Sequence, residues 1–451
     1  MSVRITVVGT GHVGSVVGGC LAMIGHQVVG LEVDRAKLEH LQRGTAPFFE
    51  PGADELLRDA SATGRLRFTD DFDDAVHASD VVFLCVGTPT TANGHADTTA
   101  LEAAARAVAE AMDGPKVLVS KSTVPIGSGH WLETIVEDAL PPDRRDIRFA
   151  VASNPEFLRQ GSSIADYLYP DRVVLGSDDV RALSVLQEIY RPILDQSFPG
   201  GVPARRPALV CTNLATAETI KYASNAFLAL KVSFANEIAN LCEHVGADSL
   251  DVARALGLDR RIGPDFLNAG AGWGGSCFGK DLGELIAVAG DHGYNAPLLR
   301  AARDVNIIQR GLVVRKLRQS LHGLRGRRIG LLGLAFKPGT DDVRDAPALD
   351  VARALVDAGA RVIAHDPVVG TLPDVPCVRV VDDPYGVAER ADAVVLMTEW
   401  PEYRSLELDV LASRMRGMLF VDGRNVFDPE KAEIAGLLYE GIGRSRSARA
   451  R

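Results

Sequence analysis

The chain reads as an α/β protein, with two doubly wound, Rossmann-like domains joined by a central helical domain built on a long spine helix. Three observations predict this: β-rich runs alternate with helical patterns over the first two hundred residues, a helical stretch of some thirty residues follows, and a second strand–helix–strand pattern begins near Arg327. Strands separated by helices imply parallel sheets with right-handed crossovers. A chain of 451 residues exceeds one ordinary core, so two or three domains are expected. The divisions fall at 1–203 for the first Rossmann-like domain, 204–315 for the central helical and dimerisation domain, 316–440 for the second Rossmann-like domain and 441–451 for a disordered basic tail.

In the first domain, strands are expected at 5–8, 27–31, 81–86, 116–120, 149–152 and 172–175. Pro199-Gly200-Gly201-Val202-Pro203 then punctuates the chain. From 214 to about 244, Ile220, Ala223, Phe227, Leu230, Phe234, Ile238 and Leu241 recur at i, i+3 or i+4 spacing, the period of one helix. Its apolar faces need more than one partner, which makes it a spine and a subunit interface. The last domain is expected to hold a strand at 329–332, a helix at 349–358, a strand at 361–365 ending at Asp366, and strands at 393–397 and 418–421. The final residues, 444–451, are rich in arginine without an apolar face and are expected to be disordered.

Composition narrows the function classes. Hydrophobic residues at 46% and charged residues at 24% are those of a globular protein. No apolar run approaches a membrane span, and the N-terminus reads as a first strand and not a signal peptide. The six cysteines are scattered without C-x-x-C spacing, which argues against a metal site and a disulfide framework and suits a reducing cytoplasm. A net charge of −10 argues against a nucleic-acid partner.

Gly9-Thr10-Gly11-His12-Val13-Gly14 follows an expected strand and opens a helix, the context in which such glycines let a pyrophosphate reach a helix N-terminus. Glu32 stands at the end of the second strand, where a carboxylate accepts both ribose hydroxyls of NAD and repels the extra phosphate of NADP. Lys37, in the same turn, is placed to pair with Glu32 or cover the adenosine. The turns Gly87-Thr88-Pro89-Thr90 and Lys121-Ser122-Thr123-Val124-Pro125 end later strands and should line the nicotinamide end of the crevice. NAD is the expected cofactor.

Gly272-Trp273-Gly274-Gly275-Ser276-Cys277-Phe278-Gly279-Lys280-Asp281 sets one thiol in a glycine-rich turn. A thiol acts as a nucleophile through its thiolate, and Lys280 is a candidate cation for it. Lys221 and Asn225, four apart, share a face of the spine helix.

These segments, with Ser153-Asn154-Pro155-Glu156-Phe157-Leu158 and Leu332-Gly333-Leu334-Ala335-Phe336-Lys337-Pro338, closely resemble the UDP-glucose/GDP-mannose dehydrogenase family, from about residue 3 to about 430. The resemblance implies oxidation of a nucleotide sugar at C6, alcohol to acid, with two NAD⁺ reduced in succession. It implies that Cys277 adds to the aldehyde and passes through a thioester. Lys221 and Asn225 would serve the C6 oxygen, Asp281 with Thr123 would handle protons, and Glu156 would serve hydrolysis. Val13, Thr88, Lys280 and Arg344 fall near the cofactor by the same comparison. Lys337 and Arg424 match positions that contact the sugar nucleotide, to which Phe157, Leu158, Phe266, Gly274 and Phe336 would add backbone donors or walls. Arg261 matches an arginine that reaches a neighbouring subunit's substrate, so a homodimer or higher homo-oligomer is expected.

The chain departs from the family at His12 (commonly tyrosine), Trp273 (phenylalanine or tyrosine), Gln160 (frequently glutamate, so an acid role is lost there) and Gly279 (proline or glutamine). Phe278 with Pro170-Asp171-Arg172 leans to the UDP-glucose branch. Alternatives are a dTDP-glucose or GDP-mannose substrate, a two-electron β-hydroxyacid-type dehydrogenase, which would not need Cys277, and a non-catalytic nucleotide-sugar binder, which would lack Cys277, Lys221 or Asp281.

Overall fold

The computed structural model describes residues 2–91, 93–202 and 204–444. They pack as two compact units, Met1–Ser224 and Asn225–Arg451. The first holds an eight-stranded sheet: β1 (Arg4–Val8), β2 (Gln27–Leu31), β3 (Leu66–Thr69), β4 (Val81–Leu84), β5 (Lys116–Ser120), β6 (Phe149–Ser153), β7 (Arg172–Gly176) and β8 (Ala208–Thr212). Their order is β3-β2-β1-β4-β5-β6-β7-β8. Neighbours run parallel except β6 and β7, which meet at one antiparallel pair, Ser153 opposite Gly176. Continuous valine and leucine runs such as β4, buried throughout, suit strands covered on both faces. The chain reverses direction across the sheet between β1 and β4, and the crevice at that switch point is where such sheets take ligands.

The first sheet continues past residue 203, because β8 pairs parallel with β7. β8 is mostly exposed, so it carries little of the apolar signal by which a strand is read. β3, a four-residue edge strand, was likewise not anticipated.

The second unit holds a six-stranded sheet: β9 (Arg328–Leu332), β10 (Arg361–His365), β11 (Arg379–Val380), β12 (Ala393–Leu396), β13 (Leu419–Asp422) and β14 (Leu438–Glu440). All pairs are parallel, in the order β11-β10-β9-β12-β13-β14. The spine helix is Leu214–Val245. Its residues from Asn225 onward, with helices Ser249–Leu258, Phe278–Asp291 and Pro297–Leu321, belong to the second unit. Within this unit Ala226, Ala229, Trp273, Leu282, Ile286 and Ala302 form a small core around the helices.

Disorder expected from 441 does not begin there. Ile442 is fully buried, its amide donates to Asn425 Oδ1 at 2.9 Å, and Arg444 Nε reaches Asp248 Oδ2 at 3.2 Å. An apolar residue and a carboxylate partner hold this stretch down; residues 445–451 lie outside the described part of the chain.

Candidate active site

In the first unit, β1 ends at Gly9, whose φ of +84° is the left-handed conformation that glycine adopts without strain. A Cβ at Gly14 would lie 1.9 Å from the Gly9 carbonyl oxygen, so the loop closes on the helix only with glycine there. Gly11 precedes helix His12–Met23 without a side-chain cap, and a Cβ there would meet nothing within 4 Å. Uncapped first-turn amides opening onto free space fit a pyrophosphate. Val13 packs into the core beneath. His12 turns its ring to Glu50, 2.8 Å from Nε2 to Oε2. Glu50, a site residue missed in the sequence, also accepts the amides of Gly161 and Ser163. Burial pushes its pKa up, but these bonds, led by that from His12, prevail and hold it below the usual carboxylate range.

Glu32 is buried at the end of β2, where it accepts the Thr10 amide at 3.2 Å, the Thr10 hydroxyl at 3.0 Å and the Asp34 amide at 3.0 Å. The carboxylate therefore ties the glycine loop to the second strand. Lys37 does not pair with it; its ammonium is 3.9 Å from Asp34. Thr88 donates to the Thr123 carbonyl at 2.7 Å and Ser122 to the Val86 carbonyl at 2.7 Å, which locks the turns after β4 and β5 together.

A small cavity beside Thr123 is bordered by Ser122, Pro155, Glu218, Lys221 and Tyr222. Lys221 Nζ is 2.7 Å from Glu156 Oε1, and both side chains are buried. Burial raises the Glu156 pKa, but the charge and hydrogen bond of Lys221, with the Leu158 amide, outweigh it and keep the carboxyl below its ordinary value. The Leu158 amide donates to Glu156 Oε2 at 2.6 Å. Phe157 lies under Arg172, whose guanidinium carbon is 3.8 Å from the ring centroid. Below this loop Lys121 donates to Asn154 Oδ1 at 2.9 Å, and burial pulls its pKa down to about 8.

In the second unit the cysteine loop crosses the carboxyl ends of the sheet. Gly272 and Gly275 have φ of +102° and +88°. A Cβ at Gly274 would stand 2.2 Å from the Asp345 carbonyl oxygen, and one at Gly275 would stand 2.7 Å from the Phe336 ring. The missing side chains are what let the loops after β9 approach. The Gly275 amide donates to the Arg344 carbonyl at 3.1 Å. Arg424, after β13, donates to the Gly272 carbonyl at 3.1 Å and to the Met397 carbonyl at 2.7 Å.

Cys277 is exposed and stands at the N-cap of helix Phe278–Asp291, where the helix dipole favours negative charge. One turn along, buried Asp281 accepts Asn225 Nδ2 at 2.6 Å. Lys280 lies 3.6 Å from Asp281. Arg344 grips Asp342 with two hydrogen bonds, 2.8 and 2.6 Å. The Asp342 bond is the main reason its pKa is raised, against burial, with Cys277 and Asp341 adding smaller electrostatic contributions. Phe266 takes a left-handed φ of +63° with its ring 6.2 Å from that of Phe278. Lys337 lies 5.7 Å from the Phe336 ring centre. Arg261 pairs with Asp259 at 2.7 Å, on a side chain 88% exposed.

The structure thus gathers Thr123, Glu156 and Lys221 in the first unit, and Cys277, Asp281, Asn225 and Arg344 in the second. Sequence reading missed Asn306, Gln309 and Arg310, which hold the cysteine loop; the available signal was three polar side chains at i, i+3 and i+4 on one helix. Among the described residues, no group of three or more His, Cys, Asp or Glu is suited to a metal. No described helix is long and apolar enough to cross a membrane.

Comparison with known proteins covers the whole arrangement. Residues 3–194 match the NAD binding domain of the UDP-glucose/GDP-mannose dehydrogenase family, 215–307 its central domain and 330–429 its UDP binding domain. The chain is 46% identical over 450 residues to UDP-glucose 6-dehydrogenase of Rhizobium meliloti, spanning 98% of this chain and 99% of that protein. A UDP-glucose dehydrogenase structure from Pyrobaculum islandicum superposes with a TM-score of 0.89 at 40% identity, covering 98% of both chains. A UDP-D-ManNAc dehydrogenase structure from Pyrococcus horikoshii gives 0.84 at 29% identity, covering 98% of this chain and 99% of that one.

Proposed function

The chain belongs to the UDP-glucose/GDP-mannose dehydrogenase family, and from that premise we propose that it oxidises the C6 alcohol of a nucleoside-diphosphate hexose to the carboxylate, with UDP-glucose as substrate. Bound NAD⁺ supplies the hydride acceptor for both oxidations. Gly9, Gly11, Gly14 and Glu32 would hold it, the glycines by admitting its pyrophosphate and the carboxylate by accepting ribose hydroxyls.

In the first oxidation the alcohol loses a hydride and a proton. Lys221 and Asn225 stabilise the oxygen as negative charge develops, and Asp281 with Thr123 takes up the proton. The Cys277 sulfur then bonds to the aldehyde carbon, and a proton on the oxygen completes a thiohemiacetal. Loss of a second hydride and the hydroxyl proton leaves a thioester. Water, directed by Glu156, breaks the carbon–sulfur bond, restoring the thiol and releasing the carboxylate with a proton. Lys337 and Arg424 meet the charge of the sugar nucleotide.

The observation that carries this reading is Cys277 itself, an exposed thiol at the head of a helix, reached through glycines and followed one turn later by the buried Asn225–Asp281 pair. The relatives named as UDP-glucose dehydrogenases support UDP-glucose over other sugars. Separate incubations with UDP-glucose, dTDP-glucose and GDP-mannose and NAD⁺ test it, with NADH counted per sugar and the product weighed by mass spectrometry. Two NADH per UDP-glucose and a uronate product are expected. One NADH per sugar would point to a two-electron dehydrogenase, and none to a binding protein.

The working form is a homodimer, or a higher homo-oligomer, assembled through the spine helix. Phe227, Phe234, Leu241 and Val245 leave between 47% and 67% of their surface exposed at helical spacing, an apolar stripe that a second copy would cover. Exposed Arg261 is the residue that would reach the other copy's substrate.

A further inference from the structure

Asn306 and Arg310 lie one turn apart on helix Pro297–Leu321 and converge on the main chain of Trp273. Asn306 Oδ1 accepts the Trp273 amide at 2.8 Å, and its Nδ2 donates to the Trp273 carbonyl at 3.0 Å. One side-chain amide thereby pairs both polar groups of one residue, as a neighbouring strand would. Arg310 Nη2 donates to the same carbonyl at 2.7 Å and to the Asp345 carbonyl at 3.1 Å, while Nη1 meets Asp345 Oδ1 at 2.7 Å and Asp350 Oδ2 at 2.6 Å. Gln309, between them, donates to the Gly270 carbonyl at 2.7 Å.

Asn306 and Gln309 are 3% and 0% exposed. Polar groups are buried this deeply at a cost unless they are hydrogen-bonded. The loop at 270–277 belongs to no strand or helix, so its backbone groups must find partners elsewhere. Trp273 stands four residues before Cys277, and the intervening Gly274 and Gly275 are confined by the Asp345 carbonyl and the Phe336 ring. A shift at Trp273 is therefore transmitted to the sulfur. Helix Phe278–Asp291 shares its small core with the Trp273 ring through Leu282 and Ile286, and Asp281 has an anchor of its own in Asn225, which holds it when the Trp273 peptide moves.

We propose that Asn306 and Arg310 are positioning residues for Cys277, whose joint hold on the Trp273 peptide serves the thiol-dependent second oxidation and not the first. The proposal rests on the reading of Cys277 as the nucleophile. Its test compares the full chain with the variants Asn306→Leu, Arg310→Gln and Arg310→Lys. The two oxidations are assayed apart: the first with the aldehyde trapped by hydroxylamine, the second with the sugar 6-aldehyde supplied directly. Iodoacetamide alkylation of Cys277 and thermal melting are measured alongside.

In Asn306→Leu and Arg310→Gln, kcat for aldehyde oxidation is expected to fall about 100-fold, the size of effect that follows a misplacement near 1 Å, while the first oxidation changes by less than about threefold. The alkylation rate of Cys277 should change, and Arg310→Lys, which keeps the charge and a donor, should recover most of the lost rate. Equal losses in both oxidations, or no loss in variants that melt near the parent, would overturn the proposal. Should Asn306→Leu fail to fold, the two Arg310 variants carry the same comparison. If the parent forms no acid from any sugar, the functional reading fails by itself; alkylation then decides the positioning claim, and an unchanged rate sinks it.

Discussion

A thiol that must bond to carbon and then release it needs exposure together with a fixed direction, and Cys277 has both. It is exposed, yet it opens a helix and follows a loop whose glycines have neighbours too close for any side chain. Replacement with alanine removes only the sulfur. Cys277→Ala should abolish acid formation while nucleotide-sugar affinity, read by calorimetry, stays within about threefold, because the sulfur acts after the first hydride has left. Retained uronate formation would exclude the thioester route. Lys221 is a poorer probe. Its ammonium is the buried partner of Glu156, and removing one member of such a pair costs about 3–5 kcal/mol by itself, so lost activity there would mix folding with chemistry.

At the scale of the element, the two sheets use one device. After β2, Glu32 accepts the Thr10 amide of the loop that follows β1. After β10, Asp366 accepts the Leu334 and Ala335 amides of the loop that follows β9, at 2.7 and 3.0 Å. Asp366 also takes the amides of Val368 and Val369 and the Trp400 indole, so its carboxylate is saturated and structural. Glu32 accepts from fewer groups and, in our reading, adds the ribose hydroxyls of NAD. Glu32→Ala should weaken NAD binding about tenfold, the loss expected for hydrogen bonds to a charged group, and relax discrimination against NADP, both measurable by titration. An unchanged preference between the cofactors would confine Glu32 to holding the loop.

For the whole molecule, the proposed assembly rests on the exposed stripe of the spine helix. Phe234 and Leu241 lie seven residues apart, two turns along one face, at 47% and 54% exposure. Placing a charge at both, as Phe234→Asp with Leu241→Asp, should split the oligomer with little change in monomer stability, because neither side chain is buried within its own chain. Light scattering should show the mass fall to that of one 48.1 kDa chain. Catalysis should fall with it if Arg261 serves the neighbouring copy's site. A mass equal to that of the parent would place the interface elsewhere.

Local pattern was enough to read the parallel sheets, the glycine loop at Gly9, the spine helix and the cysteine loop, because glycine spacing and apolar period are properties of short segments. The edge strands β3, β8, β11 and β14 escaped it, since their partly exposed residues lack the continuous apolar run that marks the central strands. Tertiary structure alone decided that Lys221 meets Glu156, 65 residues away, that the Leu158 amide is already engaged, and that Asn306 and Arg310 hold Trp273. Each of these depends on which distant groups are left to satisfy a buried donor or acceptor, and that is settled only when the whole chain has packed.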